Sequence, residues 1–125
     1  MLPLYDLLKK IQEKPGLYIG YPSISNLFMF LCGYQYSLQE LQLPISEQEQ
    51  EFQKFQPWLQ EKFQVKTSAS WAKIILLFST DEDRAFTSFF DLLEEFWQQQ
   101  KPATEKLKLR LASEAIKSET PASTL

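Results

Sequence analysis

Apolar side chains recur every three or four residues along most of this 125-residue chain, and that spacing predicts helices. The broadest stripe consists of Phe86, Phe89, Phe90, Leu93, Phe96 and Trp97. Such a stripe is typical of an amphipathic helix with one face in a core. Only three residues are glycine, which argues against a turn-rich sandwich or barrel. We therefore predict an all-α fold, a small helical bundle of four to six helices in a single domain over residues 1–100.

Proline residues predict two interruptions of the helical pattern. The first helix should end before Pro15, because the residue preceding a proline is pushed out of the helical region. Residues 14–22 contain two glycines and two prolines and should form a structured turn. Pro57 lies inside a later apolar stripe, where we expect a kink or a break into two helices.

Serine and threonine residues mark where the helices should begin. Ser23 or Ser25 can cap the second helix, and Ser46 with Glu49 three residues later forms a capping-box pattern for the third. Thr80 is expected to cap the last helix, which should extend to about residue 99.

Two segments are less regular. The apolar run WAKIILLF at residues 71–78 fits either a helix or a buried strand. We favour a helix, because the chain offers no clear second strand to pair with it. Residues 101–125 contain two prolines and no aromatic residue, and such a segment buries too little apolar surface to offset its ordering entropy. We predict that they form a flexible, disordered tail.

The composition argues against several kinds of active site. The chain has no histidine, which removes the commonest general acid–base and every Ser-His or Cys-His nucleophile pair. Cys32 is the single cysteine, so neither an intrachain disulfide nor a cysteine-rich metal site is possible. We expect no enzymatic activity, no metal and no cofactor. Cys32 is expected in the core, and Gly33 is expected to pack closely against a neighbouring helix.

Charge and hydropathy also limit the partners. The net charge is −3 and the basic excess lies in residues 101–125, so a nucleic-acid partner is not expected. No run approaches the roughly 18 apolar residues of a membrane-spanning helix, and no targeting segment is evident. We expect a soluble protein of the cytoplasm with a protein partner, and its oligomeric state is left open.

The string KPGLYIG at residues 14–20 resembles the R-P-x-M-Y-I-G segment in the ATPase domains of gyrase-like type II topoisomerases. That resemblance would imply a nucleotide-binding fold. The other elements of the family are missing here, namely the helix with its Glu/Asn motif, the D-x-G-x-G motif and the glycine-rich lid. A short motif without its structural context is weak support, and we do not expect ATP binding.

A longer pattern covers residues 14–96. The order KPGLYIG, SISNLFMFLCGY, FQKFQPWLQEKF and SWAKIILLFSTDEDRAFTSFFDLLEEF resembles that of small, largely uncharacterised bacterial proteins, some of which are similar to immunity proteins of polymorphic or contact-dependent toxin systems. The resemblance implies a cytoplasmic inhibitor that binds its toxin and performs no chemistry. The alternative is a structural or regulatory adaptor of a bacterial complex. Deleting residues 101–125 should abolish binding by an adaptor tethered through its tail and spare binding by an inhibitor.

The last predicted helix is strongly acidic. Residues 81–95 hold six acidic residues and one basic residue, Arg84, which gives a local charge of −5. Such carboxylates either form a solvated helix face or dock on a basic surface and steer association with it. The side chains expected to meet a basic partner are Tyr18, Tyr21, Asp81, Asp83, Asp91, Glu94 and Glu95.

Overall fold

A computed structural model describes residues 2–100 and Leu111 of the chain. The chain divides into two compact units, Met1–Glu94 and Glu95–Leu125. The helices and contacts described below lie in the first unit, except for the final residues of the last helix. The predicted tail over residues 101–125 lies outside the described residues, apart from Leu111.

All regular secondary structure in the described residues is helical, which confirms the predicted all-α class. The helices are α1 (Leu4–Glu13), α2 (Pro15–Tyr18), α3 (Ile24–Glu40), α4 (Glu47–Phe52), α5 (Phe55–Phe63), α6 (Trp71–Leu77) and α7 (Glu82–Gln100). Six of these segments, all but the single turn α2, are longer than one helical turn. The run at residues 71–78, for which the sequence favours a helix over a strand, forms α6 as far as Leu77, with Phe78 at its C-cap.

An aromatic cluster joins α4, α5, α6 and α7. Phe89 lies at its centre, with ring centroids 6.3 Å from Phe52, 5.6 Å from Phe55 and 4.9 Å from Trp71. Phe28 of α3 meets the same Trp71 edge to face at 5.4 Å. Offset and edge-to-face pairs of this kind stabilise a core beyond the area they bury. The broad apolar stripe of the last helix thus contributes Phe86, Phe89 and Leu93 to the core, as the sequence predicts.

Aliphatic side chains from α1 and α3 complete the core of the first unit. Those that are almost fully buried are Leu4, Leu8, Ile11, Ile24, Leu27 and Leu31. Their spacing within each helix is the one that predicted the helices. The backbone N–H of Tyr5, in the first turn of α1, donates to Gln48 Oε1 of α4 at 2.8 Å. A side chain from another helix thereby satisfies a donor that the helix itself leaves without a partner.

Three expected helix boundaries differ from the structure. The segment after Lys14 opens with a helical turn, because Pro15 occupies the first helical position, where a missing N–H costs nothing. The apolar stripe that contains Pro57 does break into two helices, but the break lies between Phe52 and Phe55, and Pro57 falls in the first turn of α5. Asp81, and not Thr80, caps α7, since the Arg84 N–H donates to Asp81 Oδ1 at 2.8 Å.

The predicted serine caps are present. The side chain of Ser23 accepts from the Asn26 N–H at 3.1 Å at the start of α3, which decides between the two candidate serines. Ser46 accepts from the Glu49 N–H at 3.2 Å at the start of α4. Each such cap typically stabilises a helix by about 1 kcal/mol.

The outward side of α3 corrects two predictions. Cys32 is exposed and does not pack in the core. Gly33 is also exposed, and a Cβ built on it would meet no heavy atom within 4 Å, so no neighbouring helix packs against it in the described structure. Gly20, unlike Gly33, is required by the backbone, because its φ of +89° is a conformation that other residues rarely adopt.

None of the helices in the described part of the chain has the length and apolar character needed to cross a membrane.

Candidate functional site

The acidic residues at the start of α7 have structural roles. Asp81 caps its own helix, as described above. Glu82 reaches across to the start of α3, where its Oε2 atom accepts from the Ser25 N–H at 3.2 Å and from the Ser23 hydroxyl at 3.4 Å. The Ser25 hydroxyl donates to the other carboxylate oxygen of Glu82. Glu82 thus caps α3 from outside and joins the N-terminal ends of the two helices.

Other acidic side chains of α7 face outwards. Asp83, Asp91 and Glu94 are exposed, as is Thr87 between them. Thr87, Asp91 and Glu94 follow Asp83 by four, eight and eleven residues, and this spacing places all four on one side of the helix. The three carboxylates of this set, Asp83, Asp91 and Glu94, are called the acidic stripe below. Glu95, which the sequence predicts to point outwards with Asp91, belongs to the second unit and is half-buried.

A groove borders the acidic stripe at Asp91. It has a volume of about 250 Å³ and is lined by Phe63, Ile75, Phe78, Ser79, Ser88, Asp91 and Leu92. The rings of Phe63 and Phe78 stack at 4.6 Å with an interplanar angle of 13°. Phe78 is nevertheless 54% exposed. The groove therefore combines apolar walls with two hydroxyls and a carboxylate, a composition suited to receive an apolar side chain next to a basic one. We call it the aromatic groove.

The C-terminal end of α6 separates this groove from a second one. The second groove, about 260 Å³ in volume, is lined by Val65, Lys66, Thr67, Ala69, Lys73, Ile74 and Leu77. Leu77 is 73% exposed and stands next to Phe78 in the sequence. Leu77 and Phe78 are thus both exposed but line different grooves, the groove of Phe78 with Asp91 and the groove of Leu77 with Lys66 and Lys73.

Of the two predicted tyrosines, Tyr18 is the last residue of α2 and Tyr21 lies in the connection from α2 to α3. Tyr18 is half-buried and meets Phe30 of α3 edge to face at 6.4 Å. Tyr21 is 57% exposed and precedes Ser23 by two residues. Because Ser23 bonds to Glu82, Tyr21 lies close to the start of α7. The structure therefore brings Tyr21 near the acidic helix, whereas Tyr18 has a packing contact.

A third groove lies between the C-terminal end of α3 and α4. Its volume is about 470 Å³, and its lining includes Leu38, Ile45, Glu49 and four glutamines. The pKa of the neighbouring Tyr34 is raised above its ordinary value of 10.0, first by burial and second by the negative charge of Glu49. Both effects disfavour the phenolate.

Sequence reasoning missed Leu77 and Phe78 as surface residues, and it missed the half-buried Phe63 as a wall of the aromatic groove. Phe63 and Phe78 follow the helical period of buried neighbours, which predicts a place in the core. Phe78 occupies the C-cap of α6, where the helix ends and the core-facing period no longer decides which way a side chain points. The sequence does contain a signal: Ser79, Thr80 and Asp81 follow Phe78 directly, and such a polar run predicts that the helix ends at this point.

The described residues contain no group of three or more cysteine or carboxylate side chains arranged to hold a metal ion. Comparison of the chain with protein-family models, with curated proteins and with solved structures finds no match.

Proposed function

We propose that this chain is a non-enzymatic protein-binding module, an immunity-type inhibitor that acts in the cytoplasm by covering the basic active surface of a cognate toxin. The observation that carries the proposal is the aromatic groove, in which the exposed Phe78 stands beside α7 and its acidic stripe. The sequence resemblance to immunity proteins points the same way.

The two parts of this surface supply different contributions to binding. An exposed aromatic side chain that becomes buried in a partner is a typical binding hot spot. Carboxylates at the rim of an interface mainly accelerate encounter with a basic partner and disfavour acidic ones. Phe78 should therefore govern the dissociation rate, and Asp83 and Asp91 should govern the association rate.

Inhibition would require no reaction by this chain. A toxin that acts on nucleic acid has a basic surface for phosphate groups, and the acidic stripe would occupy that surface in their place. Bound there, the module would exclude the toxin's substrate.

The product of the adjacent gene is the first partner to test. We expect it to co-purify with this chain, to be toxic when expressed alone and to be neutralised by co-expression. In surface plasmon resonance, the double substitution Asp83→Lys and Asp91→Lys should slow association about tenfold or more at low salt, with the difference shrinking as salt is raised. Phe78→Ala should accelerate dissociation about tenfold or more.

Glu13→Lys provides the matched control, because it reverses an exposed carboxylate on a different helix, α1. It should leave both rate constants within about twofold of the original. Absence of binding to the neighbouring gene product would count against the inhibitor, and equal slowing by Glu13→Lys would refute the assignment of the acidic stripe.

A further inference from the structure

The groove between α6 and the connection that precedes it combines aliphatic walls with two lysines. It has a volume of about 260 Å³, and the most exposed of its apolar lining residues is Leu77, at 73%. Lys66 and Lys73 are both exposed, and none of the described residues that line the groove carries a carboxylate. We call it the lysine groove. It differs from the aromatic groove, which Asp91 borders, in the sign of its charge.

Side chains of α5 hold one wall of the lysine groove in place. This wall belongs to residues 64–70, which connect α5 to α6. The Gln60 Nε2 atom donates to the Thr67 carbonyl at 2.8 Å, and the Gln56 Nε2 atom donates to the Ala69 carbonyl at 2.9 Å. The Ala69 N–H also donates to the Thr67 hydroxyl at 3.0 Å. Because these bonds order the wall before anything binds, the entropy cost of binding there is reduced.

The two lysines of the groove have no ionic partner within the fold. Neither Lys66 nor Lys73 forms an ion pair in the part of the chain that the structure describes. This is so although the chain has 16 acidic and 13 basic residues. Covering an ammonium group without giving it a partner is costly. An occupant that covers the groove therefore has to bring negative charge with it.

The size of the groove indicates which part of an occupant it receives. Pockets that enclose a drug-sized molecule measure about 300–1,000 Å³ and bury most of its surface. At about 260 Å³, with Leu77 largely exposed at its side, the lysine groove is smaller and more open than such pockets. These dimensions suit apolar side chains that project from a longer segment, whose backbone stays outside the groove.

We propose that the lysine groove binds an acidic segment of a protein partner, in which an aliphatic side chain stands next to carboxylates. The aliphatic side chain packs against Val65 and Leu77, and the carboxylates pair with Lys66 and Lys73. Charge complementarity selects this occupant, because a basic segment would bring like charges together. The inference goes beyond the proposed function and does not depend on it, since the partner proposed above presents a basic surface.

Short random peptides displayed on phage and selected on the full chain supply the probe. We expect a family of peptides in which acidic residues stand next to leucine, isoleucine, valine or methionine. A fluorescein-labelled member of this family should bind with a dissociation constant of about 10–100 μM in fluorescence polarisation, because one small groove offers few contacts. Replacing its acidic residues with glutamine, or its aliphatic residue with serine, should weaken binding about fivefold or more.

Substitutions in the groove test the same contacts from the other side. The double substitution Lys66→Glu and Lys73→Glu should weaken binding of the peptide at least about tenfold, because like charges then meet. Leu77→Ala should weaken it about fivefold or more, because it removes an exposed apolar contact. Raising the salt concentration should weaken binding to the original chain and reduce the difference from the double variant.

Two controls separate the groove from general effects of charge and from the aromatic groove. Lys9→Glu with Lys10→Glu changes the net charge by the same amount at two exposed lysines of α1. Phe78→Ala alters the aromatic groove alone. Both should leave the dissociation constant of the peptide within about twofold of the original. Circular dichroism would verify that every variant is folded.

The proposal would be overturned if no selected family lost binding in the lysine double variant, or if the families that did so lacked acidic residues. Association of the chain with itself in sedimentation velocity, lost in the double variant, would make a second copy the occupant instead. Laurate that displaced the peptide and bound more tightly would make a fatty acid the occupant. Failure to bind a toxin-like partner would leave all these results unaffected, because the assays contain only this chain and the probes.

Discussion

Removal of the Glu82 carboxylate tests the junction between α3 and α7. In Glu82→Ala, the Ser25 N–H at the start of α3 loses its acceptor, and the Ser23 and Ser25 hydroxyls lose theirs. An N-terminal cap is worth about 1 kcal/mol, and a carboxylate near a helix N-terminus adds about 0.3–1 kcal/mol. Because Glu82 is partly exposed, the lower part of these ranges applies, and we expect a loss of about 1–1.5 kcal/mol in unfolding free energy.

Asp83→Ala is the control for that substitution. Asp83 is the next residue of the same first turn and carries the same charge, but it is exposed and points outwards. It should cost no more than about 0.5 kcal/mol. Urea unfolding followed by circular dichroism, at one protein concentration throughout, measures both values. For a domain of this size, the difference corresponds to a melting temperature lower by about 4–8 °C per kcal/mol.

Ser25→Ala completes a double-mutant cycle. With the hydroxyl gone, Glu82→Ala should cost less than it does in the original chain, and the two changes should be non-additive by at least about 0.5 kcal/mol. Equal effects of Glu82→Ala and Asp83→Ala would show that α7's acids act only through the helix dipole, and the cross-helix cap would then be refuted.

The remaining predictions concern the core and a tyrosine. Phe89→Ala should destabilise the fold by about 3–5 kcal/mol in the same urea assay, because it empties the centre of the aromatic cluster. Phe78→Ala should cost under about 1.5 kcal/mol, because its ring is largely exposed. The raised pKa of Tyr34 means that its contribution to stability is fully present below pH 10 and is lost as pH rises through the folded-state pKa. Glu49→Gln should therefore lower the Tyr34 pKa in an ultraviolet titration of the phenolate, with Tyr34→Phe used to assign the signal; an unchanged titration would exclude the Glu49 charge as a cause.

The helices could be predicted from sequence because local signals agree with the fold. Ser23 and Ser46 cap the helices they precede, and the stripe around Phe89 is buried as its spacing requires. Pro57 shows the limit of a local rule: proline disfavours a helix interior, but the structure moves the helix start to Phe55, so that the proline falls in the first turn.

Surface exposure could not be predicted in the same way. An apolar residue on a helix is buried only if another element covers it, and this depends on tertiary packing. Cys32 belongs to a run of apolar residues, yet it is exposed because α3 meets its neighbours through Ile24, Leu27 and Leu31. Phe78 keeps the period of α6 but lies where that helix ends. The candidate sites are found at such residues, because apolar side chains that folding leaves uncovered are available to a partner.

The structure also changes how the acidic charge of α7 should be counted. The sequence gives residues 81–95 a charge of −5, but the carboxylates of Asp81 and Glu82 each stand at a helix N-terminus, where the partial positive charge of the backbone offsets part of their own. Their negative field at a distance is correspondingly weaker. Two other carboxylates should attract a basic partner more strongly than Asp81 and Glu82 do. Asp83 lies at the outer side of the first turn, and Asp91 lies beside the aromatic groove. If a basic partner binds as proposed, its attraction to α7 should therefore be centred on the groove, where it would also meet the exposed ring of Phe78.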